Sequence, residues 1–265
     1  MDSKIVLITG ASSGFGFETA NYLSDLGYKV YGTSRTKPKN SISFTHKTLD
    51  ITSEHSVDTC IESIISKEGK IDVLINNAGF ILSGSVEETE IAEAKSVMET
   101  NFFGAVRMVN AVLPIMREQK SGRIINISSS AGVLAIPNLG FYSASKFALE
   151  GYSETLRLEA SRFNIQVSLV EPAIFKTNIG RSKLMVKNKI KEYDSMRRSV
   201  KMALKRGYDN GGDPKRIAKL MANILKEKQP KLRYRIGPNS LLVSLLKKFM
   251  PDEINSWAMK KYFNF

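Results

Sequence analysis

The sequence predicts an α/β fold, a doubly wound parallel sheet of seven strands flanked by helices. Short β-branched, apolar runs alternate with helix-length segments along the 265 residues. Runs such as residues 5–8 (IVLI) are apolar on both faces, as strands covered by helices on both sides must be. No internal repeat, low-complexity tract or linker interrupts the alternation, so we expect one domain over residues 1–265.

The strands are predicted from their β-branched and aromatic residues. They are expected at residues 5–9, 29–34, 71–76, 123–128 and 166–170, with weaker candidates at 43–49 and 233–237. Helices are expected at residues 15–26, 54–68, 90–119, 142–163 and 214–226. Pro114 should kink the third helix, because proline lacks an N–H donor. Ligands of such sheets bind beyond the carboxyl ends of the strands, where we therefore expect the functional residues.

The first strand runs directly into a glycine-rich turn, residues 9–16 (TGASSGFG). Gly10, Gly14 and Gly16 let the backbone turn tightly and approach a pyrophosphate, which then faces the free N–H groups of a helix N-terminus. Because this turn lies in the first strand–turn–helix unit, it predicts a dinucleotide site. An ordinary flexible turn is the alternative.

A tyrosine and a lysine that lie four residues apart predict an acid/base group. On the helix expected there, Tyr142 and Lys146 emerge on one face. A lysine ammonium beside a phenol stabilises the phenolate, so we expect the pKa of Tyr142 to be lowered toward neutral pH. Ser129, which follows a neighbouring predicted strand, can donate a hydrogen bond to a substrate oxygen.

The choice of cofactor is predicted at the end of the second strand. Residues 30–35 include no acidic residue that could bind the ribose hydroxyls of NAD. Arg35 can instead pair with a 2′-phosphate, assisted by Lys37, because a guanidinium matches phosphate geometry. We therefore predict that NADP(H) is preferred over NAD(H). A solvated surface arginine is the alternative.

These motifs resemble, in their order and spacing, the short-chain dehydrogenase/reductase family over about residues 4–180. Within it the chain is similar to NADP-dependent members of the steroid and retinol dehydrogenase type, including bacterial ones. The matches are the glycine-rich turn, residues 76–79 (NNAG), Asn101, Ser129 and Tyr142-x-x-x-Lys146. The resemblance implies a Rossmann-type fold and an oxidoreductase that acts on CH–OH donors with NAD(P) as acceptor.

The resemblance also assigns roles to residues. It implies that Tyr142 is the acid/base, that Lys146 also holds the nicotinamide ribose, that Ser129 orients the substrate and that Asn101 supports a water that relays the proton. It implies no metal. The cofactor contacts that we expect are Gly10, Ser12, Ser13, Gly14, Phe15, Gly16, Arg35, Asp50, Ile51, Asn77, Ala78, Gly79, Tyr142, Lys146, Pro172, Ile174 and Thr177.

Two of these positions need comment. Asp50 resembles the adenine-contacting aspartate of the family, although an N-cap or turn residue is the alternative. Ala173 stands where the family usually has glycine after the sixth strand, which restricts the backbone if a positive φ is needed there. Thr177 remains placed to bond the nicotinamide amide.

The C-terminal third is strongly basic. Residues 1–180 carry 17 Lys and Arg against 19 Asp and Glu, whereas residues 181–265 carry 22 against 7, within a total net charge of +13. We interpret residues 1–180 as the cofactor-binding and catalytic core and residues 181–265 as a helical substrate lid. A lysine-rich solvated face is the alternative. Apolar residues at three- and four-residue spacing predict one amphipathic lid helix: Val186, Ile190, Tyr193, Met196, Val200 and Leu204.

The substrate is predicted to be a lipophilic alcohol, ketone or aldehyde, because apolar residues are expected around the mouth of the pocket. They are Phe80, Ile81, Leu82, Leu134, Ile136, Leu139, Ile174 and Phe175. The apolar, lysine-edged tail at residues 241–250 either packs over the pocket or makes a weak contact with an anionic membrane surface. The resemblance implies a homodimer or homotetramer formed through the helices at 90–119 and 142–163.

Composition excludes several other classes. One cysteine, Cys60, excludes an internal disulfide and a cysteine-based zinc site. No apolar run approaches about 18 residues and the N-terminus has no signal pattern, so we expect a cytoplasmic protein. Nucleic-acid binding is not expected, because the basic third lacks a binding motif. Two other functions stay open: reduction of 3-oxoacyl thioesters on an acyl-carrier protein, and NADP(H) sensing or protein interaction without turnover.

Overall fold

The computed structural model describes residues 3–175, 184–237 and 250–264. Its strands are β1 (Ile5–Thr9), β2 (Lys29–Ser34), β3 (Thr45–Thr48), β4 (Val73–Asn76), β5 (Leu82–Ser83), β6 (Gly122–Ile127), β7 (Ile165–Pro172), β8 (Leu184–Met185) and β9 (Arg233–Ile236). Its α-helices are α1 (Gly14–Asp25), α2 (Glu54–Glu68), α3 (Ile91–Met98), α4 (Gly104–Gln119), α5 (Gly140–Ser161), α6 (Asp194–Asp209), α7 (Lys215–Lys226) and α8 (Asp252–Phe263).

Seven strands form one parallel sheet in the order β3-β2-β1-β4-β6-β7-β9. The order reverses between β1 and β4, so the crevice of a doubly wound sheet opens above the carboxyl ends of these two strands. This architecture confirms the fold class that the sequence predicts. A separate two-stranded sheet joins β5 to β8 and so connects the core to the lid.

Alternate residues of the buried strands pack into two apolar layers, one on each face of the sheet. Leu7 of β1 faces the layer formed with α2, α4 and α5, whereas Ile8 faces the layer formed with α1 and α7. Both side chains are completely buried. The strands apolar on both faces are therefore the ones that helices cover on both sides.

The long helix that the sequence predicts at residues 90–119 is divided. A π-helical turn, Glu99–Phe103, lies between α3 and α4, and Pro114 lies within α4. Such a turn adds one residue to the helical repeat and is frequent at functional sites. It places Asn101 in the interior of the protein, where it is buried.

The single lid helix predicted from Val186 to Leu204 is wrong in its first half. Val186 follows β8 and packs against Phe80 and Leu82, and α6 begins only at Asp194, after a short 3-10 turn (Lys191–Tyr193). The apolar spacing matched a helix because Val186 after β8 and the partly buried Ile190 and Tyr193 happen to continue the spacing of the buried residues of α6. None of the helices in the described ranges combines the length and apolar character that a membrane crossing needs.

Candidate active site

The glycine-rich turn is fixed to the loop after β4. Gly10 has φ +70° and Gly14 has φ +60°, conformations that favour glycine. The side-chain amide of Asn77 donates hydrogen bonds to the carbonyls of Thr9 and Gly10, at 2.9 and 3.0 Å. Gly16 follows in α1, where a Cβ would lie 2.4 Å from Nδ2 of Asn77. The turn is therefore a rigid, closely packed structure.

A cavity of about 540 Å³ runs over this turn and the ends of β2 and β4. A Cβ built on Gly14 meets no atom within 4 Å, so the glycine leaves an open approach to the N-terminus of α1. A dinucleotide fits this cradle of backbone and small polar side chains. The expected cofactor contacts that line the cavity are Gly10, Ser12, Ser13, Gly14, Phe15, Arg35, Asp50, Ile51, Asn77, Ala78 and Gly79.

The far end of this cavity carries opposite charges. Arg35 is exposed and lies at the rim, and Asp50 faces it from the loop after β3. Hydrogen bonds from the backbone N–H and the hydroxyl of Thr52, at 2.9 and 2.8 Å, lower the pKa of Asp50, and the charge of Arg35 lowers it further. Asp50 is thus a carboxylate held in a turn, with Arg35 the cation beside it.

Asn101 braces the site from the π-helical turn. Its Oδ1 accepts a hydrogen bond from the backbone N–H of Phe80 at 2.9 Å, and its Nδ2 donates to the Phe80 carbonyl at 2.9 Å and to Ser145 Oγ at 3.2 Å. These bonds connect the loop after β4 to α5, which carries Tyr142. The role of Asn101 in a water relay stays a prediction.

Tyr142, Ser129 and Lys146 meet beside the second cavity. Ser129 Oγ accepts a hydrogen bond from the backbone N–H of Ala131 at 3.1 Å and lies near the Tyr142 phenol, whose pKa it lowers. Lys146 Nζ donates to the Ile127 carbonyl at 2.8 Å and lies 6.0 Å from the centroid of the Tyr142 ring. All of these groups therefore converge at the carboxyl end of β6.

The expectation that Lys146 lowers the pKa of Tyr142 is wrong. Burial raises the pKa of Tyr142 to about 12, and the hydrogen bond with Ser129 opposes this rise only in part. Burial also lowers the pKa of Lys146 to about 8, against the nearby charge of Glu150. The cost of burying the charged forms outweighs the attraction between the ammonium and a phenolate, because both side chains are buried and the ammonium is directed to the Ile127 carbonyl.

The second cavity has mainly apolar walls. It is lined by Tyr142, Lys146, Pro172 and Ile174 among the expected cofactor contacts, and by Phe80, Ile81, Ile136, Leu139 and Phe175 among the expected mouth residues. Leu82 instead packs with Val97 and Val186, and Leu134 is not among the lining residues. Thr177, another expected contact, lies outside the described residues. Ala173 lines the cavity where the family usually has glycine.

Sequence reasoning missed several lining residues. Thr36, Thr52, Ser96 and Thr100 border the first cavity, and Tyr208 borders the second. Thr36 and Thr52 each follow an expected contact directly in the sequence, and this adjacency could have indicated them. Tyr208 belongs to no motif, and only the position of α6 brings it to the site.

Acidic residues between β5 and α3 bind the lid to the core. The buried carboxylate of Glu88 accepts a hydrogen bond from the backbone N–H of Ile190 at 2.8 Å and pairs with Arg197 of α6. Glu87, Glu90 and Glu93 accept further bonds from Tyr193, Asn188 and the Lys187 backbone, at 2.7, 2.6 and 3.0 Å respectively. The apolar face of α6 is thereby held over Tyr142.

Nicotinamide-dependent oxidoreductases are the class of protein in which a parallel sheet of this topology carries a glycine-turn cradle beside a buried tyrosine. The chain belongs to the short-chain dehydrogenase family, because a family model described as short chain dehydrogenase matches residues 4–187. It is therefore an oxidoreductase that uses an NAD(P) nucleotide, and the resemblance stated from its motifs is confirmed. Members of this family act on small molecules and are typically oligomeric.

Relatives cover nearly the whole chain. A 3-ketodihydrosphingosine reductase of Bacteroides thetaiotaomicron is 44% identical over 269 residues, covering 99% of both chains. Retinol dehydrogenase 8 of Bos taurus is 34% identical over 274 residues, covering 94% of this chain and 86% of its own. The crystal structure of a short-chain dehydrogenase from Streptomyces avermitilis has a TM-score of 0.84 at 31% identity, covering 98% of this chain and 96% of the other.

Proposed function

We propose that this protein is an NADP(H)-dependent oxidoreductase that transfers hydride between the nicotinamide and a lipophilic alcohol, ketone or aldehyde. The observation that carries the proposal is the buried Tyr142 side chain, which lines an apolar cavity together with Ser129 and Lys146. This cavity adjoins the dinucleotide cradle, since Phe15, Asn77 and Gly79 line both. A carbonyl group placed beside Tyr142 therefore also lies beside the cofactor site.

In the reductive direction the cofactor supplies the hydride, and the protein supplies the proton and orients the substrate. Tyr142, with a pKa raised to about 12, stays protonated at neutral pH and donates its proton to the substrate oxygen. Ser129 Oγ donates a hydrogen bond to the same oxygen and fixes its position. Lys146, with a pKa of about 8, exchanges protons near neutral pH and restores the phenol.

The preference for NADP(H) is proposed from Arg35. It is an exposed cation at the rim of the first cavity, at the end of β2, and Lys37 lies two residues further on. A 2′-phosphate at this rim would find a guanidinium whose planar donors match its oxygens. Asp50 also borders this cavity, and the charge of Arg35 lowers the pKa of its carboxyl.

The substrate that we propose to test first is a long-chain amino ketone. Its choice is supported by the relative named 3-ketodihydrosphingosine reductase, which is 44% identical over essentially the whole chain. The walls formed by Ile81, Leu139, Ile174 and Leu204 suit an alkyl chain, because they offer little to a polyol. We propose residues 181–265 as the lid that covers this substrate and residues 1–180 as the catalytic core.

We also propose that the protein forms a homodimer or homotetramer through α4 and α5. Phe103, which directly precedes α4, is 46% exposed, and Phe147 and Leu158 of α5 are 44% and 77% exposed. Exposed apolar side chains of this size are typical of an interface between subunits.

A weak contact with an anionic membrane is proposed for the basic C-terminal third, in which residues 241–249 of the predicted tail lie outside the described residues and α8 is described. Trp257 and Tyr262 are 60% and 61% exposed there, beside the exposed Lys260 and Lys261. Co-sedimentation with phosphatidylglycerol vesicles at low salt tests this contact, with phosphatidylcholine vesicles as the control. Absence of binding to the anionic vesicles would exclude it.

The main experiment is NADPH oxidation by the purified protein with long-chain amino ketones, plain ketones, aldehydes, acetoacetyl thioesters and polyols. The Tyr142→Phe variant should lose at least about 100-fold in kcat. Tyr152→Phe is the matched control on the same helix, because Tyr152 packs on Phe102 away from both cavities. Tight NADPH binding without turnover of any carbonyl would indicate a sensor and overturn the proposal. Preferred turnover of acetoacetyl thioesters would indicate the acyl-carrier reductase instead.

A further inference from the structure

Tyr208 is a second phenol at the substrate cavity. It lies in the last turn of α6, packs on the apolar cluster that includes Tyr142 and Leu204, and lines the second cavity. A Tyr208 phenolate would raise the pKa of Tyr142, because the two phenols lie near each other. The lid thereby places a second phenol on the wall of the cavity that Tyr142 also lines.

The backbone around Tyr208 is anchored to the core. A Cβ on Gly207 would lie 2.5 Å from Cδ1 of Ile174, so a larger residue there would have to displace the Ile174 side chain. The backbone N–H of Gly212 donates to the Ile174 carbonyl at 3.2 Å, and that of Gly211 donates to the Tyr208 carbonyl at 3.2 Å. These contacts hold Tyr208 in one position relative to Ile174, which itself lines the cavity.

The hydroxyl of Tyr208 makes no hydrogen bond within the part of the chain that the structure describes. By contrast, the hydroxyls of Tyr31, Tyr193 and Tyr234 each donate to a glutamate, at 2.5, 2.7 and 2.5 Å. The walls nearest to Tyr208 are apolar, and burial raises its pKa, so the phenol is neutral and can both donate and accept. Tyr208 is partly buried, and a hydroxyl among such apolar walls gains from a partner that a ligand brings.

We propose that Tyr208 is a specificity-determining residue whose hydroxyl binds an amino or hydroxyl group carried beside the carbonyl of the substrate. The inference rests on the proposed function and names the substrate class within it, long-chain ketones with a polar substituent next to the carbonyl. A plain ketone leaves the Tyr208 hydroxyl unpaired, whereas a substituted ketone pairs it. Sites built to bind a polar group discriminate strongly against analogues that lack it.

The test compares two ketones of equal chain length, one with a 2-amino group and one without, in NADPH-dependent reduction. We expect the wild-type protein to prefer the amino ketone, and Tyr208→Phe to lower kcat/KM for it by about 10- to 100-fold. For the plain ketone the same variant should stay within about twofold of wild type. Tyr193→Phe is the matched control, because it removes a lid hydroxyl that pairs with Glu87 outside the cavity.

An equal loss on both ketones, or no loss on the amino ketone, would overturn the role of Tyr208 and leave the proposed reductase intact. If the wild-type protein reduces neither ketone, the proposed function fails. The role of Tyr208 is then tested by ligand binding instead of turnover. Titration calorimetry then compares a long-chain 2-amino alcohol with the plain alcohol. Selective binding that Tyr208→Phe abolishes supports the inference, and equal binding of both alcohols by the wild type overturns it.

Discussion

Arg197 of the lid helix α6 pairs with Glu88, whose carboxylate is completely buried. Glu88 also accepts hydrogen bonds from the backbone N–H groups of Ser85 and Ile190, at 3.0 and 2.8 Å. One carboxylate therefore holds its own loop, the chain that follows β8 and the helix that covers Tyr142. Removal of a single partner from such a buried pair leaves the other charge without compensation.

The Glu88→Gln substitution should lower the free energy of unfolding by about 3 kcal/mol. Urea denaturation at neutral pH measures this loss as a lower midpoint. The control is Glu87→Gln, one residue away, whose exposed carboxylate accepts a bond from Tyr193 and whose loss should change stability by less than about 0.5 kcal/mol. Similar midpoints for the two variants would contradict the importance of the Glu88–Arg197 pair.

Stability should rise with pH between about 8 and 10 because of Lys146. Its pKa is about 8 in the folded protein and 10.5 ordinarily, so the unfolded chain binds more protons across this range. By pH 9.5 the wild type should gain about 2 kcal/mol relative to Lys146→Met. Denaturant unfolding at pH 7.5, 8.5 and 9.5 measures the difference. The control is Lys95→Met, at an exposed lysine, whose free energy of unfolding should rise with pH as in the wild type. Parallel curves for wild type and Lys146→Met would show that the ammonium is not desolvated.

Replacement of Arg35 by alanine should weaken NADPH far more than NADH. Loss of a charge-assisted contact with a phosphate predicts a 10- to 100-fold increase in KM for NADPH. For NADH the change should stay within about twofold, since that cofactor has no 2′-phosphate. Initial rates with each cofactor, and with Lys39→Ala as the control outside the cavity, give the comparison. An equal effect on both cofactors would refute this basis of preference.

The exposed face of α4 and α5 should be sensitive to charge. Phe147→Glu is expected to dissociate the assembly, because it places a carboxylate in the proposed apolar interface. Leu26→Glu is the matched control, since Leu26 is 45% exposed, close to the 44% of Phe147, but lies beyond α1. Light scattering after size exclusion gives the subunit number. A wild-type monomer, or an unchanged assembly of Phe147→Glu, would argue against this face.

The strands and most helices could be predicted because their signals are local. Residues 5–8 are a buried apolar run and residues 29–34 are rich in β-branched and aromatic residues, and both strands occur at the expected bounds. The π-helical turn could not be predicted, because residues 99–103 have no composition that distinguishes them from a regular helix. The structure at the start of the lid could not be predicted either, because Val186 is held by contacts with Phe80 and Leu82, about 100 residues away in the sequence.

In the candidate site, too, the residues with local signals could be predicted and those placed by long-range contacts could not. The glycine-rich turn, Arg35 and Tyr142 are consecutive with strands or share a helix face, so their location at one edge of the sheet could be predicted. Tyr208 could not, because its position depends on the contact of Gly207 with Ile174. The predicted shift of the Tyr142 pKa was wrong in direction. Sequence spacing indicates that two side chains are near each other, but it does not indicate that both are buried.

The π-helical turn sets the angle between the apolar residues of α3 and those of α4. The extra residue rotates everything after it by about 100°. Val97 before the turn can therefore pack with Leu82 and Val186 on the lid side, while Met108 and Val112 after it enter the main core. On a regular helix Val97 and Met108, which are 11 residues apart, would differ in direction by only about 20°, and either the lid or the core would lose its helix face. The wider turn separates the two apolar stripes, so one continuous helical path serves two hydrophobic surfaces.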